Sequence, residues 1–223
     1  MKQYALIVAG GTGSRMRSDL PKQFIKLGSK PILMHTIEAF HAFNNSMNIA
    51  LVMHPEYIAL WEDLCSEHNF ILKHKLVKGG NTRFHSVRNG LRQLPNENNI
   101  VGIHDAARPF IDSEFLNRCF KEANHKGNAI PFLDSTESLR YVENNSNKII
   151  DRNLVKKIQT PQCFKLNDIK LAYNQKYDTS FTDDASVYEA KFNSNIILVD
   201  GADKNIKITT PVDLALAELI LST

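Results

Sequence analysis

Four short stretches of this 223-residue chain are apolar with little or no alternation: Tyr4 to Ala9, Asn48 to Met53, Ile100 to His104 and Ala129 to Leu133. Successive side chains of a strand point to opposite faces, so a run that is apolar on both must be covered on both, as central parallel strands are. Between these runs, apolar residues recur at helical spacing: Leu33, Ile37 and Phe40; Leu60, Leu64 and His68; Phe84, Val87, Leu91 and Leu94; Phe115, Cys119 and Ala123. The alternation predicts right-handed βαβ crossovers and an α/β, Rossmann-like, mostly parallel sheet with helices on both faces. Ligands of such folds bind outside the carboxyl ends of the strands.

One stretch departs from this rhythm. Ser138 to Val142 and Lys148 to Asp151 flank the loop Glu143-Asn144-Asn145-Ser146-Asn147, which predicts a β-hairpin protruding from the sheet. The last helix is expected to start at Thr210 as N-cap, with Pro211 first and Asp213 near the positive end of its dipole. A chain of this length commonly forms one unit around one sheet, so a single domain over residues 1–223 is expected, with an arm at about 134–156.

Directly after the first strand comes Ala9-Gly10-Gly11-Thr12-Gly13-Ser14-Arg15-Met16, then Leu20-Pro21-Lys22-Gln23. Glycines after a strand let backbone N–H groups turn toward an anion, and Arg15 and Lys22 add mobile positive charge suited to a triphosphate. It is not a Walker A loop, because no Gly-Lys-Ser/Thr follows, and Met16 stands where a dinucleotide fingerprint needs its third glycine. A second motif, Ile103-His104-Asp105-Ala106-Ala107-Arg108-Pro109, sets a carboxylate just past a predicted strand end. Asp105 there can hold Mg²⁺ against substrate phosphates; the plainer alternative is a capping Asp105 paired with Arg108. His104 beside it reads as a base or as a packing residue that orients the loop. Thr182-Asp183-Asp184 is consistent with an N-cap, and Trp61 lies at helical spacing in the core.

The formal charge of +3, from 27 basic and 24 acidic residues, is too even for the basic stripe of a nucleic-acid binder. Cys65, Cys119 and Cys163 are odd in number and lack a CxxC pair, which speaks against a disulfide framework or a zinc site and fits a reducing cytoplasm. The N-terminal apolar stretch is too short for a membrane span or a signal sequence. No membrane partner is therefore expected.

The two motifs occur with Pro21-Lys22-Gln23, Asp151-Arg152, Thr160-Pro161-Gln162, Thr182-Asp183-Asp184-Ala185 and Asn205-Ile206-Lys207 in the order of one family. Across nearly its whole length the chain resembles the 2-C-methyl-D-erythritol 4-phosphate cytidylyltransferases of the nucleotidyltransferase superfamily. The resemblance implies a nucleotide-diphospho-sugar transferase type of fold and transfer of CMP from CTP to methylerythritol phosphate in the non-mevalonate isoprenoid pathway. It implies Arg15, Lys22 and Lys207 around the CTP phosphates, with Asp105 holding bridging Mg²⁺. Ala9, Gly10, Gly11, Thr12, Gly13, Gly80, Asn81 and Ser86 would bind the nucleotide, Asn81 standing where the family commonly has Asp. The sugar phosphate would meet Arg108, Thr160 and Lys207, with Asp183 and Ser138 also at its subsite. Arg152 would reach in from a partner subunit on the hairpin arm, making a homodimer necessary.

A phosphate oxygen attacking the α-phosphorus in line with departing pyrophosphate needs preplaced cations and no nucleophilic Ser, Cys or His. Ribitol-5-phosphate cytidylyltransferases share the glycine loop and the Lys-Gln pair, and a nucleotide-binding module without turnover would keep the cradle. Asp105-Ala106-Ala107-Arg108 and Asp151-Arg152-Asn153 are closer to the methylerythritol enzymes, and charges placed for a transition state exceed what binding alone requires. Hexose-1-phosphate nucleotidyltransferases have a comparable loop but usually carry further C-terminal domains.

Overall fold

The fold is taken from a computed structural model, which describes residues 1–11, 16 and 20–222. The chain runs through β1 (Gln3–Ala9), a small ribbon of β2 (Lys26–Leu27) and β3 (Lys30–Pro31), α1 (Ile32–Phe43), β4 (Asn48–Met53) and α2 (Ile58–Glu67). It continues through β5 (Lys75–Lys78), α3 (Arg83–Arg92), β6 (Ile100–Asp105), α4 (Ser113–Lys126) and β7 (Asn128–Asp134). Then follow β8 (Leu139–Glu143), β9 (Ser146–Ile150), β10 (Lys156–Ile158), β11 (Gln162–Lys165), α5 (Leu166–Ala172), α6 (Asp184–Phe192), β12 (Leu198–Asp200) and α7 (Pro211–Leu221).

The main sheet has the order β7-β11-β6-β1-β4-β5, with β10 and β12 also pairing with β7. Strands β6, β1, β4 and β5 are parallel, whereas β11 inserts antiparallel between β6 and β7. Alternate residues of the strands feed two separate cores. Ala5, Ile7, Leu51 and Met53 pack with Leu33, Phe40, Trp61, Phe115 and Cys119 from α1, α2 and α4. Leu6, Ala50, Val52, Val101 and Ile103 pack on the other face with Phe84, Val87, Leu91, Ile169 and Tyr188 from α3, α5 and α6. At about 25 cal/mol per Å², filling both faces is what makes an unbroken apolar strand favourable. Helix α3 lies so close to the sheet that a Cβ on Gly90 would come 2.6 Å from Leu6 Cδ1 and 2.7 Å from Val52 Cγ2.

From β1 the chain winds outward through β4 to β5, and α3 then carries it back across to β6 on the other side of β1. The direction of winding reverses between β1 and β6, which opens a crevice beyond Ala9 and Asp105. Asp105 is the last residue of β6 rather than the first beyond it. Its side chain follows Val101 and Ile103 onto the α3 face, whereas His104 turns toward α1 and meets the Phe40 ring edge-on at 5.2 Å.

The hairpin is formed by β8 and β9, which pair from Leu139 with Ile150 to Glu143 with Ser146. The expected five-residue loop shrinks to Asn144-Asn145, both at positive φ (44° and 63°). Asparagine tolerates that conformation, and a two-residue turn with two positive φ values matches the twist of the strands. Val142 and Ile149 on this hairpin are 71% and 76% exposed. Helix α7 begins as expected, Thr210 and Asp213 forming a capping box. Among the described residues no helix is long and apolar enough to cross a membrane.

Candidate active site

A cavity of about 260 Å³ occupies the crevice between β1 and β6. Its walls bring together Ala9, Gly10, Gly11, Lys22, Gly80, Asn81, Ser86, Asp105 and Lys207, from five separate parts of the chain. Thr12, Gly13 and Arg15 lie outside the described residues. Gln23, itself buried, donates from Nε2 to the Ala9 carbonyl at 2.9 Å and ties the segment after the loop back to β1.

The opposite wall is the turn into α3. Thr82 caps that helix by accepting from His85 N–H, and Ser86 Oγ accepts from Gly80 N–H while donating to the Thr82 carbonyl, both at 3.0 Å. The turn is tight enough that a Cβ on Gly80 would come 2.6 Å from His85 Cβ. Gly80 and Asn81 thus line the cavity at a helix N-terminus, where the dipole favours partial negative charge.

Asp105 forms the electrostatic centre. One carboxylate oxygen lies 2.8 Å from Lys207 Nζ and 3.6 Å from Arg108 Nε; the other lies 3.9 Å from Arg83 Nε. With its side chain only 14% exposed, burial alone would raise its pKa, but Arg83, Lys207 and Arg108 outweigh that and hold it well below the usual carboxylate range. Asp105 is therefore an acceptor-only anion at neutral pH. Buried Arg108 Nε makes no hydrogen bond, while Arg108 Nη1 donates to the Asn205 carbonyl at 2.8 Å.

Arg83 escaped the sequence reading. It donates from both terminal nitrogens to Asp184, at 2.8 and 2.6 Å, and Tyr173 donates its hydroxyl to the same fully buried carboxylate at 2.6 Å. Burial opposes the charge on Arg83, yet Asp184 raises its pKa above the ordinary arginine value. The sequence did hold a signal: a cation in the first turn of a helix faces the wrong end of the dipole and needs another partner.

The remaining expected site residues lie outside the cavity lining. Thr160 sits beside it, accepting from Asp105 N–H at 3.1 Å. Asp183 caps α6 in a capping box with Ser186 and accepts from Gln162 Nε2 at 2.8 Å. Ser138 is exposed just before β8, and Arg152 donates to the Thr136 carbonyl of its own chain at 2.8 Å. Trp61 is fully buried and donates to His74 Nε2.

Among the described residues no group of three or more His, Cys, Asp or Glu side chains is placed to hold a metal. A single ionised carboxylate in a cavity also lined by Gly10, Gly11 and Lys22 nevertheless fits Mg²⁺, which is usually held by one or two carboxylates together with substrate phosphates.

Comparison with known proteins decides the family. The sequence model described as 2-C-methyl-D-erythritol 4-phosphate cytidylyltransferase matches residues 3–223. The chain belongs to this family. A relative of that name from Bacteroides fragilis is 49% identical over 221 residues, covering 99% of this chain and all of the relative. Another, from Phocaeicola vulgatus, is 46% identical over 221 residues with the same coverage. Among solved structures, the 2-C-methyl-D-erythritol 4-phosphate cytidylyltransferase of Francisella tularensis superposes with a TM-score of 0.80 at 30% identity, covering 98% of this chain and 99% of that one.

Proposed function

We propose that this chain transfers CMP from CTP to 2-C-methyl-D-erythritol 4-phosphate, giving 4-diphosphocytidyl-2-C-methyl-D-erythritol and pyrophosphate in isoprenoid biosynthesis. The observation that carries the reading is the family match over residues 3–223, which includes the whole of the site. The enzyme is a nucleotidyltransferase. The reading is supported by a cavity that gathers Gly10, Gly11, Lys22, Asp105 and Lys207 at the point where the sheet changes winding direction.

In this reading Gly80, Asn81 and Ser86 hold the base side of the nucleotide, and Ala9, Gly10 and Gly11 with Thr12 and Gly13 cradle its phosphates. The acceptor phosphate lies against Arg108 and Lys207, both already gathered around Asp105. One of its oxygens forms the new bond to the α-phosphorus as the bond from that phosphorus to the pyrophosphate oxygen breaks. Lys22, Arg15 and Lys207 place positive charge where negative charge grows on the equatorial and leaving oxygens. A phosphate dianion is already nucleophilic, so positioning and electrostatics carry the step. Asp105 would hold Mg²⁺, which when bound neutralises phosphate charge.

The hairpin of β8 and β9 is read as a dimerisation arm, its exposed Val142 and Ile149 covered by a second copy. Arg152, just beyond β9, then completes the partner's acceptor subsite, with Ser138 and Asp183 nearby. The deciding experiment measures pyrophosphate release with Mg²⁺ and CTP, comparing methylerythritol phosphate, ribitol 5-phosphate and no acceptor. Preference for methylerythritol phosphate is expected; preference for ribitol 5-phosphate, or silence with both, would overturn the reading.

A further inference from the structure

Between β12 and α7 the chain runs from Gly201 to Thr210 without helix or strand, and this segment carries Lys207 into the cavity. Its backbone groups must therefore find partners elsewhere. Gly201 N–H still donates to the Phe132 carbonyl of β7 at 2.8 Å. At Ala202 the Gln159 side chain takes over the part of a neighbouring strand. Its Oε1 accepts the Ala202 N–H at 3.1 Å, and its Nε2 donates to the Ala202 carbonyl at 2.9 Å and to the Asn205 carbonyl at 3.2 Å. Gln159 directly follows β10, and its own N–H donates to the Pro131 carbonyl of β7 at 2.8 Å. The approach is so close that a Cβ on Gly201 would come 2.5 Å from both Gln159 Oε1 and the Phe132 carbonyl oxygen.

Asn205 answers from the other side. Its Nδ2 donates to the Thr160 carbonyl at 2.8 Å and lies 3.5 Å from Gln159 Oε1, while its Oδ1 finds no hydrogen-bond partner among the described residues. Burying an amide with an unpaired oxygen costs stability, and such departures are expected where a residue serves a site. What Asn205 holds is the cations of the cavity. Its carbonyl accepts from Arg108 Nη1 at 2.8 Å, and two residues further on Lys207 Nζ lies 2.8 Å from Asp105. Gln159 and Asn205 are themselves 5% and 0% exposed, closed to any substrate.

We propose that Gln159 and Asn205 are positioning residues: their two carboxamides fix the segment 201–207, and through it the places of Lys207 and Arg108, without touching substrate. On the reading of the site given above, those are the cations that meet the acceptor phosphate and the growing charge. A lysine is a point charge on a flexible stem, so the backbone beneath it decides where that charge can stand. Electrostatic catalysis requires the charge to be in place before the reaction begins. A misplacement of about 1 Å can cost on the order of 10²-fold in rate. Because Ile208 N–H also reaches the Ala107 carbonyl at 2.9 Å, loss of the carboxamides loosens the segment without releasing it, and about a tenfold loss is expected.

Gln159→Met keeps the length of the side chain and removes its hydrogen bonds, and two measurements on it test the proposal. Amide hydrogen exchange of the resting protein should speed up about tenfold or more over residues 202–208, with β1 and β6 exchanging at wild-type rates. Unchanged protection of 202–208, or equal acceleration in β1 and β6, would overturn the proposal, the second by making the role one of global stability. Kinetics then link the segment to its cation. Alone, Gln159→Met should lower kcat about tenfold, and Lys207→Ala, which alone costs on the order of 10²-fold, should cost only about tenfold more in that background, because the lysine it removes is already misplaced. The full 10²-fold loss in both backgrounds would separate Gln159 from Lys207 and sink the proposal. Asn205→Asp, which turns an oxygen toward the Thr160 carbonyl, should show the same pattern, and either variant decides if the other does not fold. Exchange is read without turnover, so it stands or falls separately from the functional reading, whose failure shows as silence of the wild-type protein in pyrophosphate release.

Discussion

Replacing Asp184 with Asn tests whether charge holds the wall of the cavity. The fully buried carboxylate accepts both Arg83 terminal nitrogens and the Tyr173 hydroxyl, all within 2.8 Å. Asparagine keeps the shape but loses the charge, and its amide turns a donor toward groups that also donate. Removing one partner of a buried ion pair costs about 3–5 kcal/mol. The Arg83 side chain is 32% exposed, so it can be partly rehydrated through the cavity, and the lower end, about 3 kcal/mol, applies. For a chain of this length that lowers Tm by about 6–12 °C. Function should suffer as well, because an Arg83 freed from Asp184 can close the 3.9 Å gap to Asp105 and compete there with Lys207. We expect kcat to fall about tenfold. Thermal melts and steady-state pyrophosphate release measure the two effects. The double variant Arg83→Met with Asp184→Leu removes both charges and should recover most of the lost stability. A melt of the Asp184→Asn protein within about 1 °C of wild type, at wild-type kcat, would refute the argument.

Lys207→Ala should fold normally and lose on the order of 10²-fold in kcat; an unchanged kcat would remove Lys207 from the chemistry. Between pH 6.5 and about 4 the unfolded chain binds a proton at His104 that the native chain refuses, so stability is complete above that window and falls through it on acidification. The loss reaches about 3 kcal/mol, and urea unfolding of His104→Gln should lack one proton of this slope, leaving the smaller parts from His35 and His74, which burial also lowers. If it keeps the full slope, burial of His104 is not its source. Mixing Arg152→Ala with Lys22→Ala subunits should restore some activity if Arg152 works across an interface; inactive verified heterodimers would assign it to its own subunit.

The sequence by itself determined the parallel half of the sheet, its covering helices, the cap of α7 and the set of charged groups proposed to handle phosphates. Each is a local matter: apolar runs, helical spacing and capping residues act within a few positions, and Asp105 and Lys22 are legible as single groups near strand or loop ends. Only the tertiary structure decided what those groups face. Arg83 lies 101 residues from Asp184, and Thr160 lies 55 from Asp105 and 56 from His104. The antiparallel insertion of β11 between β6 and β7, which no local pattern announces, brings Thr160 to that site. Register and topology set such pairings, and a side chain's partner across them leaves no periodic trace along the chain.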